Sequence, residues 1–258
     1  MSNHIGYILH VGASLIDGAP IVVIAPKGKS SNAKTGALLQ TYIIRADIDP
    51  REAVKTGADS SICGGCPHRG KWDSLTMRMV QRSCYVNIGR GVLGIYRAFL
   101  RGRYLDISGN PDAIRELGRG RKIRLGTYGD PAAAPAAMWR DLVAYASGNT
   151  GYTHQIANPA LSMTQRHAIA QLCMVSADTP EDAKRARDSG FRYFRIRLDD
   201  EPIAEREFAC PASEEAGKRM QCADCMACSG SSKGKASPVI IAHGSLKKNY
   251  RTFRLMAA

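Results

Sequence analysis

The order of hydrophobic and polar residues divides the chain into an N-terminal run of strands and a later alternation of strands and helices. Three apolar runs of strand length come first: IGYILHV, APIVVIA and LQTYIIRAD. From about residue 121 to 198, the strand-like segments KIRLGTY, TGYTHQ, QLCMVSAD and FRYFRIRL alternate with the helix-like segments MWRDLVAYA and PEDAKRARDSG. This alternation predicts βαβ units, a mostly parallel sheet and the α/β fold class.

The same patterning predicts three segments within a chain of 258 residues, which is long enough to bury a full core. Residues 1–46 hold the first strands, either as a lid or as the start of a barrel. Residues 47–200 begin with loop and short helix, including a helix in IYRAFLRG, and continue into the βαβ units. Residues 201–258 hold a cysteine-rich segment and a last strand, PVIIAHG.

Polar residues recur just beyond the carboxyl ends of four predicted strands, where parallel sheets place the residues that bind and react. They are Tyr128, Gly129 and Asp130; Tyr152, His154 and Gln155; Ser176 and Asp178; and His243. Each one alone is equally consistent with a turn, a helix cap or a structural histidine. Their recurrence predicts a site at this edge, with Asp130, His154 and Asp178 as candidate catalytic residues.

The spacing of the C-terminal cysteines is the strongest chemical signal in the sequence. Cys222, Cys225 and Cys228 form a C-x2-C-x2-C run, and Cys210, directly before Pro211, lies twelve residues upstream. Ferredoxins hold [4Fe–4S] clusters with such a run and a Cys-Pro. Structural zinc more often uses two separated C-x2-C pairs, so we expect iron–sulfur here, with zinc as the alternative.

A second group of cysteines lies earlier, with Cys63 and Cys66 in ICGGCPHRG and Cys84 in RSCYVN. Three thiolates can bind a cluster and leave one iron open, as a reactive site requires. Alternatively, His68 could complete a Cys3His zinc site, and the sequence leaves both possibilities open. The eighth cysteine, Cys173, lies in an apolar run and is expected to be a buried small hydrophobic residue.

The net charge of +13, from 36 basic and 23 acidic side chains, favours polyanionic partners, above all nucleic acid. The basic segment RELGRGRKIR supplies the candidate nucleic-acid contacts Arg119, Arg121, Lys122 and Arg124, although a generally cationic surface explains the charge as well. No apolar stretch approaches the roughly 20 residues that span a bilayer, and the N-terminus shows no secretory pattern. Eight cysteines in such a chain indicate metal ligation in the reducing cytoplasm rather than disulfides.

One further motif points to a different cofactor. Residues 89–94 match G-x-G-x-x-G, follow the strand-like YVNI and open a predicted helix. This is the pattern of a dinucleotide-binding turn, with Asp106 near the position of a ribose-binding acid. A glycine-rich bend leading from Cys84 into the helix explains the same residues.

The chain resembles a family of cysteine-rich phage and mobile-element proteins of unassigned activity. The resemblance covers roughly residues 40–244 and rests on the ordered motifs C-x2-C-P-H, R-S-C-Y, R-L-G-T-Y-G-D-P, Y-T-H, S-A-D, C-P-A-S and C-x2-C-x2-C. That family in turn resembles radical S-adenosylmethionine (SAM) enzymes, which implies a partial (β/α) barrel. By this resemblance the first cysteine group would hold the [4Fe–4S] cluster that meets SAM, and the second group an auxiliary cluster. Tyr128, Gly129 and Asp130 would match the turn that binds the methionine amine of SAM.

The cysteine spacing departs from the C-x3-C-x2-C pattern of those enzymes, because Cys84 follows Cys66 by eighteen residues. With that departure noted, the resemblance implies an iron–sulfur enzyme that uses SAM and an electron donor to modify a nucleic acid or nucleotide. Asp130 would orient the cofactor, while His154 and Asp178 would handle protons or substrate. The alternative is a non-catalytic, metal-stabilised nucleic-acid-binding protein of a phage or mobile element. A nuclease using Asp130, His154 and Asp178 around a divalent ion is a further candidate.

Overall fold

The computed structural model describes residues 4–28, 33–231, 236–244 and 246–257. The strands are β1 (Gly6–Ala13), β2 (Pro20–Pro26), β3 (Leu39–Arg45), β4 (Lys71–Asp73), β5 (Arg78–Val80), β6 (Tyr104–Asp106), β7 (Lys122–Tyr128), β8 (Gly148–Thr153), β9 (Met174–Ala177), β10 (Tyr193–Arg197), β11 (Glu207–Ala209) and β12 (Ser237–Ile241). The helices are α1 (Pro50–Thr56), α2 (Ser60–Cys63), α3 (Leu93–Leu100), α4 (Pro111–Gly118), α5 (Ala136–Val143), α6 (Met163–Leu172), α7 (Pro180–Asp188), α8 (Cys222–Cys225) and α9 (Lys247–Ala257).

Ten strands form one sheet in the order β11-β12-β10-β9-β8-β7-β3-β2-β1-β6, and β4 pairs with β5 in a separate hairpin. Strand β2 runs antiparallel to both of its neighbours, and the other neighbouring strands pair in parallel. The predicted α/β class with a mostly parallel sheet is therefore confirmed. Strands of all three predicted segments lie in this one sheet. Within the described ranges, β11 and β6 are its edges, and no pairing between them closes it.

The predicted alternation is present as β7-α5-β8-α6-β9-α7-β10, with each strand hydrogen-bonded to the next. Local sequence sets the helix starts. Ser162 caps α6 by accepting from the Gln165 amide, and Thr179 caps α7, whose first residue is Pro180 as predicted. Since right-handed crossovers between successive neighbouring strands place their helices on the same face, the opposite face of these strands is left for other parts of the chain.

Strand β7 shows how the two faces differ. Ile123 and Leu125 are fully buried and pack in the main core together with Trp139 and Leu142 of α5. Each such side chain contributes about 1.5–3 kcal/mol to folding on burial. The alternate residues of β7, including Arg124, face a cavity on the other side of the sheet, because successive strand residues point to opposite faces.

Several local predictions need correction. Residues 85–88 (YVNI) are not a strand, so no strand precedes the G-x-G-x-x-G motif, whose first glycines lie in a π-helical turn leading into α3. The dinucleotide-binding context is therefore missing.

Cys173 is fully buried as predicted, but it ends α6 rather than lying in β9. The C-terminal helix α9 was not predicted. No helix in the described part of the chain is long and apolar enough to cross a membrane.

Candidate functional site

A cavity of about 650 Å³ lies against the helix-free face of the parallel strands. Its wall is built from alternate residues of neighbouring strands, among them Tyr42, Arg124, Tyr128, Tyr152, His154 and Phe194. The opposite wall comes from the two cysteine-bearing loops. Most of the polar residues predicted at the strand ends line this cavity: Tyr128, Gly129, Asp130, Tyr152, His154, Ser176 and His243. The period-two pattern of the strands thus brings residues from distant parts of the sequence to one surface.

Seven of the eight cysteines line this same cavity: Cys63, Cys66, Cys84, Cys210, Cys222, Cys225 and Cys228. All eight cysteines are free thiols. Cys173, the one that sequence reasoning set aside, belongs instead to the hydrophobic core. The two groups predicted from spacing are therefore brought to one place by the fold, although more than a hundred residues of sequence separate them.

Residues at the strand ends, together with Arg69, hydrogen-bond to the loop that carries Cys63 and Cys66 (the first cysteine loop). The Gln155 amide donates to the Cys63 carbonyl (2.9 Å) and accepts from the Gly65 N–H (3.4 Å). The Asp130 N–H donates to the Ile62 carbonyl at 2.6 Å. The Arg69 guanidinium donates to the carbonyls of Gly57 and Gly64 and to the Asp59 carboxylate. These bonds fix the path of the loop that presents Cys63 and Cys66.

Gly64 is required at the bend of this loop. It has a φ of +53°, and a Cβ there would lie 2.0 Å from Oε1 of Gln155. We expect Gly64→Ala to displace the loop and to lower the midpoint of urea unfolding, whereas Gly65→Ala, with no atom within 4 Å of the added Cβ, should leave that midpoint near the wild-type value. Urea unfolding of the two purified variants compares them directly. An equal shift of the midpoint in both would contradict this account of the loop.

The second cysteine group is docked between the loop before β3 and strand β8. The Cys222 N–H donates to the Lys34 carbonyl (3.0 Å), and the Gly151 N–H donates to the Cys228 carbonyl (3.1 Å). The Cys210 N–H donates to the Val239 carbonyl in the neighbouring strand at 2.7 Å. Backbone hydrogen bonds to three separate elements therefore set the positions of these thiols.

Burial raises the pKa of one or more thiols in each group, Cys63 and Cys228 among them. Burial raises the pKa of Cys63, and Asp59 and the neighbouring thiols Cys66 and Cys84 raise it further. Burial likewise raises the pKa of Cys228 to about 12, against the lowering effect of a hydrogen bond with Tyr152. Such thiols ionise readily only when a bound metal or cluster supplies compensating positive charge.

The spacing of the thiols bears on which metal group they could hold. Four thiolates around one zinc ion lie about 3.8 Å from one another, because each Zn–S bond is about 2.3 Å long and the geometry is tetrahedral. Among the described residues, which include all the cysteines, no thiol belongs to a group of three metal-ligating atoms within 4.8 Å of one another. The thiols therefore do not converge as a preformed site for one zinc ion would.

His68 does not join the thiols of the first group as a Cys3His site would require. Its Nε2 lies 2.9 Å from Asp178, and its Nδ1 lies 2.9 Å from the Ser83 hydroxyl. His154 Nε2 lies 3.0 Å from the other oxygen of Asp178. Although burial alone would raise the pKa of the Asp178 carboxyl, His154 and His68 hold that pKa well below its usual range. His154 also makes a hydrogen bond with Cys66, so this cluster of imidazole and carboxylate ligands adjoins the first cysteine group.

Asp130 is buried and its carboxylate is already engaged by the backbone. Oδ1 accepts from the Ala132 N–H (3.0 Å), and Oδ2 accepts from the His154 N–H (2.8 Å). Gly129 is needed for packing, since it has a φ of +81° and a Cβ there would lie 2.7 Å from Ile43. This turn therefore positions the wall of the cavity around His154.

Two cavity-lining hydroxyls remain without a hydrogen-bond partner among the described residues. They are the buried Tyr128 Oη and Thr150 Oγ1. Buried hydroxyls are normally satisfied, so each marks a place where a bound group could accept or donate a hydrogen bond. Both fit a cavity that holds a polar ligand or cofactor.

The four basic residues predicted to contact nucleic acid separate into two locations. Arg119, Arg121 and Lys122 lie at the amino end of β7, where Arg119 pairs with Glu116 and stacks on Tyr145. Arg124 is buried, donates to the Tyr85 hydroxyl at 3.0 Å and lies over the ring of Tyr152 in the cavity. A single surface stripe of all four is therefore not formed.

Sequence reasoning missed three residues that support the site, although two of them, Arg69 and Arg82, lie within the quoted motifs ICGGCPHRG and R-S-C-Y. Arg69 and Arg82 both pair with the buried Asp59 beneath the first cysteine loop, and Tyr250 of α9 stacks on His68. The only local signal for these roles was the proximity of Arg69 and Arg82 to the cysteines.

Comparison of the chain with protein-family models, with curated proteins and with solved structures returns no match.

Proposed function

We propose that this chain is an iron–sulfur protein whose two cysteine groups each hold a cluster at the shared cavity, and that it acts as an enzyme related to the radical SAM class. The observation that carries the proposal is the convergence of seven cysteines, from two distant groups, on one cavity wall. Two structural zinc sites that each stabilise a separate loop would not be expected to line the same cavity. Among the described residues, the thiols also do not converge as a preformed one-zinc site would.

The topology supports a partial (β/α) barrel as the framework. Strands β7, β8, β9 and β10 are successive neighbours joined through helices, and their helix-free face lines the cavity. A barrel places its interior at this face and its ligands near the carboxyl ends of the strands. The first cysteine group follows β3, the strand beside β7, which is the relative position that the resemblance to radical SAM enzymes implies.

Cys63, Cys66 and Cys84 would hold a [4Fe–4S] cluster with one open iron, which would supply the metal site and the electron for SAM chemistry. The chain's own residues position and shield that site. Asp130 holds the turn that supports both His154 and the loop before Cys63. Tyr128 offers an unpaired buried hydroxyl to a ligand in the cavity, and Tyr152 makes a hydrogen bond with Cys228.

We infer that the substrate is anionic, with a nucleotide or nucleic acid as the favoured class. Four cationic residues line the cavity, namely Lys34, Arg69, Arg82 and Arg124, against one carboxylate residue, Asp130. Arg69 and Arg82 are partly neutralised by Asp59, which lies behind them. Arg124, beside both Tyr85 and Tyr152, combines a guanidinium with aromatic rings, an arrangement suited to phosphate and base together.

The first experiment is strictly anaerobic purification with iron, sulfide and zinc quantified per chain, followed by SAM binding and reductive cleavage assays. We expect a brown protein with about eight irons and matching sulfide, as two [4Fe–4S] clusters require. About four irons would restrict the proposal to one cysteine group. A colourless protein with zinc, binding DNA or RNA with steep salt dependence and no cofactor, would contradict the enzyme and favour the non-catalytic alternative.

The free state of all eight thiols accords with a reducing compartment, and we place the protein in the cytoplasm as part of this proposal. An electron donor would be a necessary partner of the enzyme.

A further inference from the structure

Three side chains from three separate elements meet at one point beside the cavity, next to Cys66 of the first cysteine group. His68 lies in a short 3-10 turn after Cys66, His154 follows β8, and Asp178 follows β9. One ligand atom from each lies within 4.8 Å of the other two. Both imidazoles hydrogen-bond to the Asp178 carboxylate, with Nε2 of His68 at one oxygen and Nε2 of His154 at the other.

The surroundings hold these three groups in place without any ligand. The Tyr250 hydroxyl donates to the Asp178 carbonyl at 3.0 Å, and its ring stacks on His68 with centroids 5.3 Å apart. The side chains of Asp178, His68 and His154 are 6%, 12% and 18% exposed. Both histidines nevertheless line the cavity, so a small ion can reach them from that side.

Each imidazole also has a second hydrogen-bond partner. His68 Nδ1 faces the Ser83 hydroxyl at 2.9 Å, and the His154 side chain makes a further hydrogen bond with Cys66. A histidine that binds a metal through one nitrogen characteristically has its other nitrogen held by such a partner, which fixes the orientation of the ring. Two imidazoles and one carboxylate that converge in this way match the donor set of non-haem iron and other divalent transition-metal sites.

We propose that His68, His154 and Asp178 bind one divalent transition-metal ion, at a site that is open to the cavity, adjoins Cys66 and takes no ligand from either cysteine group. Three protein ligands leave further coordination positions for water or for a substrate atom. Because His154 contacts Cys66, the site adjoins the first cysteine group, and its test is therefore read on cobalt rather than on iron.

Cobalt is the probe, because its X-ray absorption edge is separate from those of iron and zinc. Anaerobically purified protein is loaded with Co²⁺ and desalted. We expect about one tightly bound cobalt per chain, with nitrogen and oxygen neighbours, imidazole scattering and no sulfur shell. A sulfur shell, or no retained cobalt, would overturn the proposal. This measurement uses the unaltered chain and does not depend on any variant folding.

Variants then assign the ligands. We expect His68→Gln and Asp178→Asn to weaken cobalt binding by at least the roughly 10–100-fold that loss of an outer partner alone causes. His167→Gln is the matched control, because His167 lies on α6 outside the site and its Nδ1 meets only the Met163 carbonyl among the contacts described. Equal weakening in all three variants, or none in the first two, would show that the ion binds elsewhere.

Discussion

Replacement of Cys84 by alanine is expected to remove the iron of the first cysteine group, about half of the total, and to abolish SAM binding while the second cluster remains. Cys84 is one of three thiols in that group, and it reaches the cavity from a different loop than Cys63 and Cys66. Loss of one ligand leaves the other two unable to hold a cluster. Iron and sulfide analysis combined with SAM equilibrium dialysis measures both effects in one preparation.

The reciprocal variant and a control make this result specific. Cys225→Ala should remove the iron of the second group and leave SAM binding intact. Cys173→Ala should change neither the iron content nor SAM binding, because its thiol lies in the hydrophobic core away from the cavity. SAM binding that survives in Cys84→Ala, or that is lost in Cys225→Ala with iron in the first group preserved, would contradict the assignment of the open cluster.

Replacement of Arg69 by alanine is expected to lower the free energy of unfolding by about 3 kcal/mol, because it breaks a buried ion pair from one side. The Asp59 carboxylate that it leaves is 1% exposed and keeps only the longer 3.5 Å contact with Arg82. The Gly64 carbonyl also loses its donor, and the Gly57 carbonyl keeps only the Ser60 N–H. The midpoint of urea unfolding under anaerobic conditions measures the loss.

Arg51→Ala is the matched control for this prediction. Arg51 also pairs with an aspartate, Asp49, at 3.0 Å, but its side chain is largely exposed. Exposed pairs contribute little to stability, and the variant should unfold near the wild-type midpoint. If both variants shifted the midpoint equally, burial beneath the cysteine loop would not be what makes Arg69 important.

Much of this architecture could be predicted because it follows from local patterns. Strand and helix periodicity gave the order of elements from β7 to β10, and the rule that parallel strands end at one edge placed Tyr128, His154 and Ser176 together. Arg124 illustrates a signal that was present but overlooked. It shares the period-two face of Gly126 and Tyr128, so strand geometry already turned it toward the cavity rather than toward the surface.

The remaining parts depend on how loops cross the sheet, which spacing along the chain does not encode. His68 follows Cys66 by two residues, and its nearness in sequence suggested a shared metal; its partner is instead Asp178, 110 residues away. Tyr250 lies in the basic helix α9, which matches no motif. It reaches the site because its hydroxyl hydrogen-bonds to the carbonyls of Asp178, after β9, and Ile196, in β10. Contacts of this kind are set by tertiary packing.

The edge strands of the sheet influence whether copies of this protein associate at high concentration. Unpaired strand edges invite addition of a strand from another molecule, and short strands or inward-pointing charges suppress it. Both edge strands here, β6 and β11, are three residues long. Glu207 in β11 is also turned inward to Arg195, and Asp106 ends β6 with a charge. Edge-to-edge association of sheets is thereby disfavoured, even though no strand pairing within the described ranges closes the sheet.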